Sequence, residues 1–250
     1  MIEVTNLHKR FGDQVVLDGV HFDVRDGETV ALLGPSGTGK SVLLKHINGL
    51  IHPDQGRVLV DGLEVAQLHR KELSELRTRI GYVFQNGALF DSMDVFENIR
   101  FGIINTTQYR DLAYCRERVE RCLELVNLVP ETARKFPAEL SGGMRKRVGI
   151  ARAIAGDPKY LLYDEPTSGL DPVNADIIDN LVTRLAEELG VTSVTVTHDV
   201  RGAFRVADRI ALLADGQVVL EGTKEEFMES THPKVKAFLE RDFENSSFAA

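Results

Sequence analysis

Eight residues constrain this chain more than any others. Gly34-Pro35-Ser36-Gly37-Thr38-Gly39-Lys40-Ser41 matches G-x-x-x-x-G-K-[ST] at every fixed position. The run follows Thr29–Leu33, a stretch with the apolar character of a strand buried on both faces. It precedes a helix pattern with apolar residues at 43, 44, 47 and 50. Three glycines let the backbone curl around an oxyanion chain with its N–H groups inward, and the helix N-terminus adds its positive dipole end. Lys40 supplies a point charge for the β- and γ-phosphates, and the Ser41 hydroxyl a ligand for Mg²⁺. Chance produces such an octet in roughly one chain in a hundred of this length. Set between a buried strand and a helix, it has the context the chemistry demands.

The rest of the chain alternates in the same way. Strand patterns cover Ile2–Asn6, Val15–Val24, Arg57–Val60 and Ile80–Phe84, the last ending before Gln85. Between about Asn86 and Pro158 amphipathic helix patterns take over, notably Leu112–Leu128. Strands and helices alternate again afterwards, over Tyr160–Tyr163, Ala175–Leu189, Val191–Thr197 and Ile210–Leu213. This order predicts a mostly parallel sheet covered by helices, interrupted by a helical insertion.

Three further places carry chemistry. Tyr160–Tyr163 delivers Asp164 and Glu165 to the strand end, the edge where ligands gather in open α/β sheets. Asp164 suits the Mg²⁺ side, and Glu165 can orient or deprotonate a water. Taken alone, an acidic strand end is often only a solvated turn. His198, at the end of Thr192–Thr197, can hydrogen-bond a γ-phosphate or the attacking water, although a lone histidine there commonly caps a turn. Leu140-Ser141-Gly142-Gly143-Met144 opens a helix with Ser141 as its expected N-cap and a first turn bare enough for a phosphate. Each glycine costs that helix roughly 1 kcal/mol relative to alanine, so the pair asks for a reason.

In this order the glycine loop, Gln85, Leu140–Met144, Tyr160–Glu165, Ser168-Gly169-Leu170-Asp171 and His198 resemble an ABC (ATP-binding cassette) ATPase from about residue 1 to 238. The resemblance implies a P-loop NTPase (RecA-like) core, an N-terminal antiparallel β subdomain, an α-helical subdomain over about 86–158 and a short tail from 239. It also implies a head-to-tail homodimer that clamps ATP between the glycine loop of one subunit and the signature of the other. By motif, Phe11 resembles the aromatic that stacks on adenine, normally a tyrosine. Gly34, Pro35, Ser36, Gly37, Thr38, Gly39, Lys40 and Ser41 would hold the phosphates. Ser41, Gln85 and Asp164 would attend Mg²⁺. Glu165 resembles the catalytic base and His198 the γ-phosphate switch. Ser141, Gly142, Gly143 and Asp171 would serve the partner's nucleotide.

One departure matters: Met144 stands where the signature usually has glutamine, and Arg145-Lys146-Arg147 follows. Methionine removes an amide but leaves the backbone donors, so clamping is expected to survive. Together with Gln85–Met93 and Val95–Asn98, this form is similar to the ATPases of Mla (maintenance of lipid asymmetry) systems. That resemblance implies an MlaE-like integral permease, an MCE-domain lipid-binding protein and, in some members, a STAS-domain regulator. It implies phospholipid transport between inner and outer membranes, powered from the cytoplasmic face of the inner membrane. The alternative within transport is the ATPase of a polar-solute importer, such as one for amino acids.

Composition narrows the partners. Thirty basic against 38 acidic residues leave a net charge of −8, which gives no long-range pull toward nucleic acid. Lys40 and Ser141 are only 101 residues apart, without the long heptad run of chromosome ATPases, and the single cassette differs from paired-cassette translation factors. No apolar run is long enough to span a bilayer, and no secretory leader is expected at Met1. Cys115 and Cys122 are expected as reduced structural thiols. The apolar run within Asn86–Phe101 reads equally as internal packing or as a groove for a permease helix. The last ten residues are expected as a flexible end, with docking on a neighbour as the other reading.

Overall fold

Two strands of ten and eleven residues build the first sheet. β1 (Ile2–Phe11) and β2 (Gln14–Val24) pair antiparallel, with Ile2 opposite Val24 and Val4 opposite Phe22. β3 (Thr29–Leu33) is buried along its whole length and leads through the glycine loop into α1 (Lys40–Ile47). β4 (Gln55–Val60) and β5 (Leu63–Glu64) complete an antiparallel sheet in the order β2-β1-β4-β5. The computed structural model describes the backbone of residues 1–247 and the side chains of residues 1–240. Contacts divide it into two compact units, Met1–His69 with Thr192–Ala250, and Arg70–Val191.

β1 runs five residues beyond the expected Asn6. Asn6 adopts φ 50°, and the register to β2 shifts between Val4 and Leu7. Such a bulge resets the in–out alternation, so the period-2 pattern stops where the strand does not. The extension brings Phe11, 48% exposed, to the end of the strand.

The second unit opens with α2 (Arg70–Thr78), which has just two apolar residues, Leu73 and Leu76, and was not expected. β6 (Ile80–Val83) follows, then α3 (Val95–Arg100), α4 (Leu112–Leu125), α5 (Gly142–Ile154), β7 (Tyr160–Asp164) and α6 (Pro172–Leu189). β6 and β7 pair parallel, Ile80 beside Tyr160 and Val83 beside Tyr163. α5 packs on β6, α3, α4 and α6, and its inner face buries Val148, Ile150, Ala151 and Ile154. α4 ends at Leu125 rather than Leu128 because Asn127 turns to φ 54°. Cys115 and Cys122 are free thiols buried on α4, and burial pushes the Cys122 thiol up to about 11, which keeps it protonated and inert.

The chain then returns to the first unit with β8 (Thr192–Thr197), α7 (Val200–Val206), β9 (Arg209–Ala214), β10 (Gln217–Gly222), α8 (Lys224–Met228) and α9 (Pro233–Ser247). β3 lies between β8 and β9, parallel to both, and β10 closes the edge antiparallel to β9. The expected α/β class is met, with parallel pairing at β3, β6 and β7 and an antiparallel N-terminal sheet. β10 was not expected, although Asp215-Gly216 before it is a hairpin signal, both residues at positive φ. α9 carries helical backbone to Ser247, into the segment expected as a flexible end; residues 248–250 of that segment lie outside the described residues.

Arg209 ties these strands together. Its guanidinium pairs with Glu28 at 3.1 Å, with Asp23 of β2 at 3.2 Å and with Glu221 of β10, while its side chain is only 13% exposed. Truncating it leaves three carboxylates without their cation, at a cost of about 2–4 kcal/mol. The Lys234–Asp215 pair, 45% and 79% exposed, is worth at most about 1 kcal/mol. Calorimetry should therefore show a clear fall in Tm for Arg209→Met and almost none for Lys234→Met.

Candidate active site

Each unit carries its own group of the sequence-derived site residues. In the first unit, β3 ends at Leu33 and the chain turns at once into the loop, because β8 and β9 occupy both edges of the strand. Gly34 lies against β9: a Cβ there would sit 2.4 Å from the Leu213 carbonyl oxygen, so no side chain fits. Gly39 caps α1 at φ 103°, with Val16 and Leu17 of β2 only 2.9 Å from where a Cβ would be. Sheet packing and loop curvature therefore both demand glycine at these two positions. Pro35, Ser36, Gly37 and Thr38 form the outer arc, in which the Thr38 hydroxyl donates to the Pro35 carbonyl at 2.9 Å.

Lys40 opens α1 and is 5% exposed. Its ammonium donates back to the carbonyls of Gly34, at 2.7 Å, and Pro35, at 3.1 Å. The charge is thus held at the mouth of the loop by the loop's own backbone. Ser41, half-buried, follows on the first turn. Phe11 projects from the end of β1 with the Lys9 ammonium 5.6 Å from its ring centroid, a cation–π contact. Asp54 anchors this corner, accepting from Lys9 at 2.8 Å and from the Arg10 N–H at 2.7 Å. His198 is exposed at the end of β8, one residue before α7 begins its cap at Asp199.

In the second unit, β7 carries Asp164 and Glu165, 7% and 9% exposed. The Tyr82 hydroxyl of β6 donates to Asp164 at 2.9 Å. Burial, and then the neighbouring Asp164 charge, hold that phenol far above its ordinary range, so it stays a donor at any working pH. Glu165 stands at φ 50°, a left-handed conformation that costs a non-glycine residue about 1–3 kcal/mol and persists only where neighbours fix it. Gln85 is exposed just beyond β6, its side-chain amide donating to the Ser168 hydroxyl at 3.2 Å.

The expected cap of the signature helix is present: the Ser141 hydroxyl accepts from the Met144 N–H at 3.3 Å. Ser141 and Gly142 are exposed, whereas Gly143 faces Asn174 of α6, whose side-chain oxygen would lie 3.0 Å from an added Cβ. Asp171 caps α6, accepting from the Asn174 side chain at 2.6 Å and its N–H at 3.1 Å. Those two bonds hold its carboxyl below the usual carboxylate range. Asn174 thus joins Asp171 to the helix start at Gly143.

Several residues here had no claim from sequence. Tyr82 looked like any strand tyrosine, and Asn174 like any helix polar residue. Asn98, fully buried, accepts from the Phe90 N–H and donates to the carbonyls of Phe90, Met93 and Asp94, fixing the loop after Gln85. The apolar run divides accordingly. Val95 and Ile99 are core, whereas Phe90 is 39% exposed and Leu89, Met93 and Phe96 are half-buried. Lys146 is buried too; its one sequence signal was a cation on the inner side of an amphipathic helix.

Comparison with known proteins gives the same set of motifs a context. The ABC transporter family matches residues 17–168. The chain is 42% identical over 239 residues to the intermembrane phospholipid transport ATP-binding protein MlaF of Haemophilus influenzae, covering 96% of this chain and 90% of that protein. It is 43% identical to the methionine import ATP-binding protein MetN of Carboxydothermus hydrogenoformans, covering 95% and 69%. Among solved structures, a dimeric post-hydrolysis state of the ATP-binding cassette MJ0796 bound to ADP and Pi superposes with a TM-score of 0.82 at 35% identity, over 89% of this chain and 98% of that one.

Two substitutions probe the local geometry. Gly34→Ala drives a methyl into the Leu213 carbonyl and should abolish binding of a fluorescent ATP analogue, whereas Gly37→Ala meets open space and costs only about 1 kcal/mol of backbone strain. Tyr82→Phe removes one donor from the buried Asp164 carboxylate, and denaturant unfolding should register a loss of about 1–3 kcal/mol.

Proposed function

This chain belongs to the ABC transporter family of ATPases, and on that premise we propose that it drives phospholipid transport between inner and outer membranes through an integral permease. The observation that carries the lipid reading is the match to MlaF, which runs nearly the full length of both chains. The likeness to MetN, at 43% identity, is the reason an importer of a polar solute is kept as the second reading.

Hydrolysis breaks the bond between the γ-phosphorus and the β–γ bridging oxygen as a water oxygen bonds to phosphorus, leaving ADP and phosphate. In this reading Phe11 stacks on adenine, and the loop from Gly34 to Gly39 holds the phosphates by its N–H groups. Lys40 offsets charge on the β- and γ-phosphates, and Glu165 orients the water and accepts its proton. His198 contacts the γ-phosphate. Mg²⁺, when bound with ATP, neutralises charge on the phosphate oxygens. Ser41, Gln85 and Asp164 offer it a hydroxyl, an amide oxygen and a carboxylate, the hard oxygen donors that this ion takes.

A second copy of the chain completes the pocket. Ser141, Gly142 and Gly143 open a thirteen-residue helix whose cap Ser141 and first residue Gly142 are exposed, suited to a phosphate brought by a partner. Asp171 at the cap of α6 is exposed, as are Val173 and Ile177, one turn apart on that helix, at 70% and 41%, a surface suited to the same contact. The permease meets the part-exposed Leu89, Phe90, Met93 and Phe96. No described helix is long and apolar enough to cross a membrane. In this reading the permease holds the chain at the cytoplasmic face, with an MCE-domain protein in the same complex.

Glu165→Gln should bind MgATP within about threefold of the parent and lose at least a hundredfold in turnover, the scale of a lost general base. Normal hydrolysis by that variant removes the assignment. Purification of the complex from membranes separates the two transport readings. An MCE protein with bound phospholipid supports the lipid reading, and a periplasmic solute-binding protein supports the importer.

A further inference from the structure

Lys146 lies on the second turn of α5 and is 6% exposed. An ammonium has three donors and no acceptor, and burying one is costly unless it is hydrogen-bonded. Here its partners are backbone oxygens from two separate strand ends. It donates to the carbonyl of Gln85, beyond β6, in a close contact, and to the carbonyl of Glu165, beyond β7, at 3.4 Å. The Glu165 carbonyl also accepts from the Ser168 N–H at 3.2 Å, and the Ser168 hydroxyl accepts from the Gln85 side chain at 3.2 Å. Lys146, Gln85, Ser168 and Glu165 therefore form a closed ring of hydrogen bonds.

The ring sits where backbone is under strain. Glu165 holds φ 50°, and a left-handed residue persists only where its peptide groups are fixed from outside. Two of the four links end on its carbonyl. The Gln85 side is fixed from the same helix. Arg152, two turns further along α5, donates to the carbonyls of Gly87 and Ala88 at 2.7 Å each. Gly149 lies between them against Gly87, whose Cα is 3.0 Å from where a Cβ would be. A methionine would fill the space of Lys146 without the desolvation cost. It would have nothing with which to hold the two carbonyls.

We propose that Lys146 is a positioning residue for ATP hydrolysis, its ammonium fixing the main chain of Gln85 and of Glu165 to one point so that their side chains act from a common frame. This rests on the roles given above to Glu165 and Gln85. The test is steady-state ATPase and thermal melting of the permease-bound complex carrying Lys146→Met or Lys146→Arg, with Glu165→Gln alongside. Lys146→Met should lose tenfold or more in kcat with KM for ATP within threefold and Tm within a few degrees. Lys146→Arg, which keeps charge and donors, should recover to within threefold of the parent. Three results overturn the proposal: parental kcat in Lys146→Met, a loss of kcat that comes with a matching rise in KM or a collapse of Tm, or no rescue by arginine. If Glu165→Gln is inactive while Lys146→Met is normal, only the positioning role fails. If Glu165→Gln hydrolyses ATP normally, the underlying assignment fails instead.

Discussion

Burial of β3 on both edges and both faces sets the geometry of the first unit. All five of its residues are buried, and its backbone hydrogen bonds are committed to β8 on one side and β9 on the other. A strand so enclosed can release the chain only at its end, and there β9 stands so close that only glycine passes. The sharp departure at Gly34 follows, then the arc, then α1 with Lys40 at its first turn. The curvature of the glycine loop is thus a by-product of sheet packing as much as of the loop's own composition. Lys40 is drawn in by the same confinement, with the carbonyls of Gly34 and Pro35 accepting from its ammonium.

The second unit solves a different problem. Its two parallel strands deliver polar residues at their ends, and the segments beyond them lie outside the ladder and are held by side chains. Helix α5 provides it with buried cations, an arrangement that hydrophobic packing alone would make unnecessary. Long basic side chains bury their methylenes along the apolar helix face and reach carbonyls at their tips. Charge-assisted bonds of this kind are stronger than neutral ones, which suits loops that carry strained backbone. The same helix starts at Ser141, so the signature turn and the supports for Gln85 and Glu165 share one rigid element.

Much of this organisation was legible. β3 and β7 are short and mostly apolar, β8 alternates valine with threonine and serine, and all three have ends within a residue of those the sequence pattern predicts. The cap at Ser141 followed from its hydroxyl and the glycines after it. Less visible were elements with a broken or sparse pattern. β1 continued past a bulge at Asn6 that breaks alternation, α2 marks its inner face with Leu73 and Leu76 alone, and β10 is a half-exposed edge strand announced only by Asp215-Gly216. The candidate site residues were legible through motif spacing, whereas their supports were not. Tyr82 and Lys146 act on atoms 19 to 82 residues away, and a single residue type carries no record of a distant partner. Asn98 and Asn174 bond within eight residues of themselves, but in irregular turns and caps whose geometry no period announces.

What the amino-acid order alone determined is the set of groups available: a glycine loop with its lysine and serine, two adjacent carboxylates at a strand end, a bare helix start and an acidic overall charge. These depend on residues within a few positions of one another, where spacing and periodicity act directly. Only the tertiary structure decided how those groups are held. The closeness of Gly34 to Leu213, the left-handed backbone of Glu165 and the ring through Lys146 arise where segments separated by 19 to 179 residues meet. Packing density and the need to satisfy buried polar atoms set those contacts, and both are properties of the assembled core.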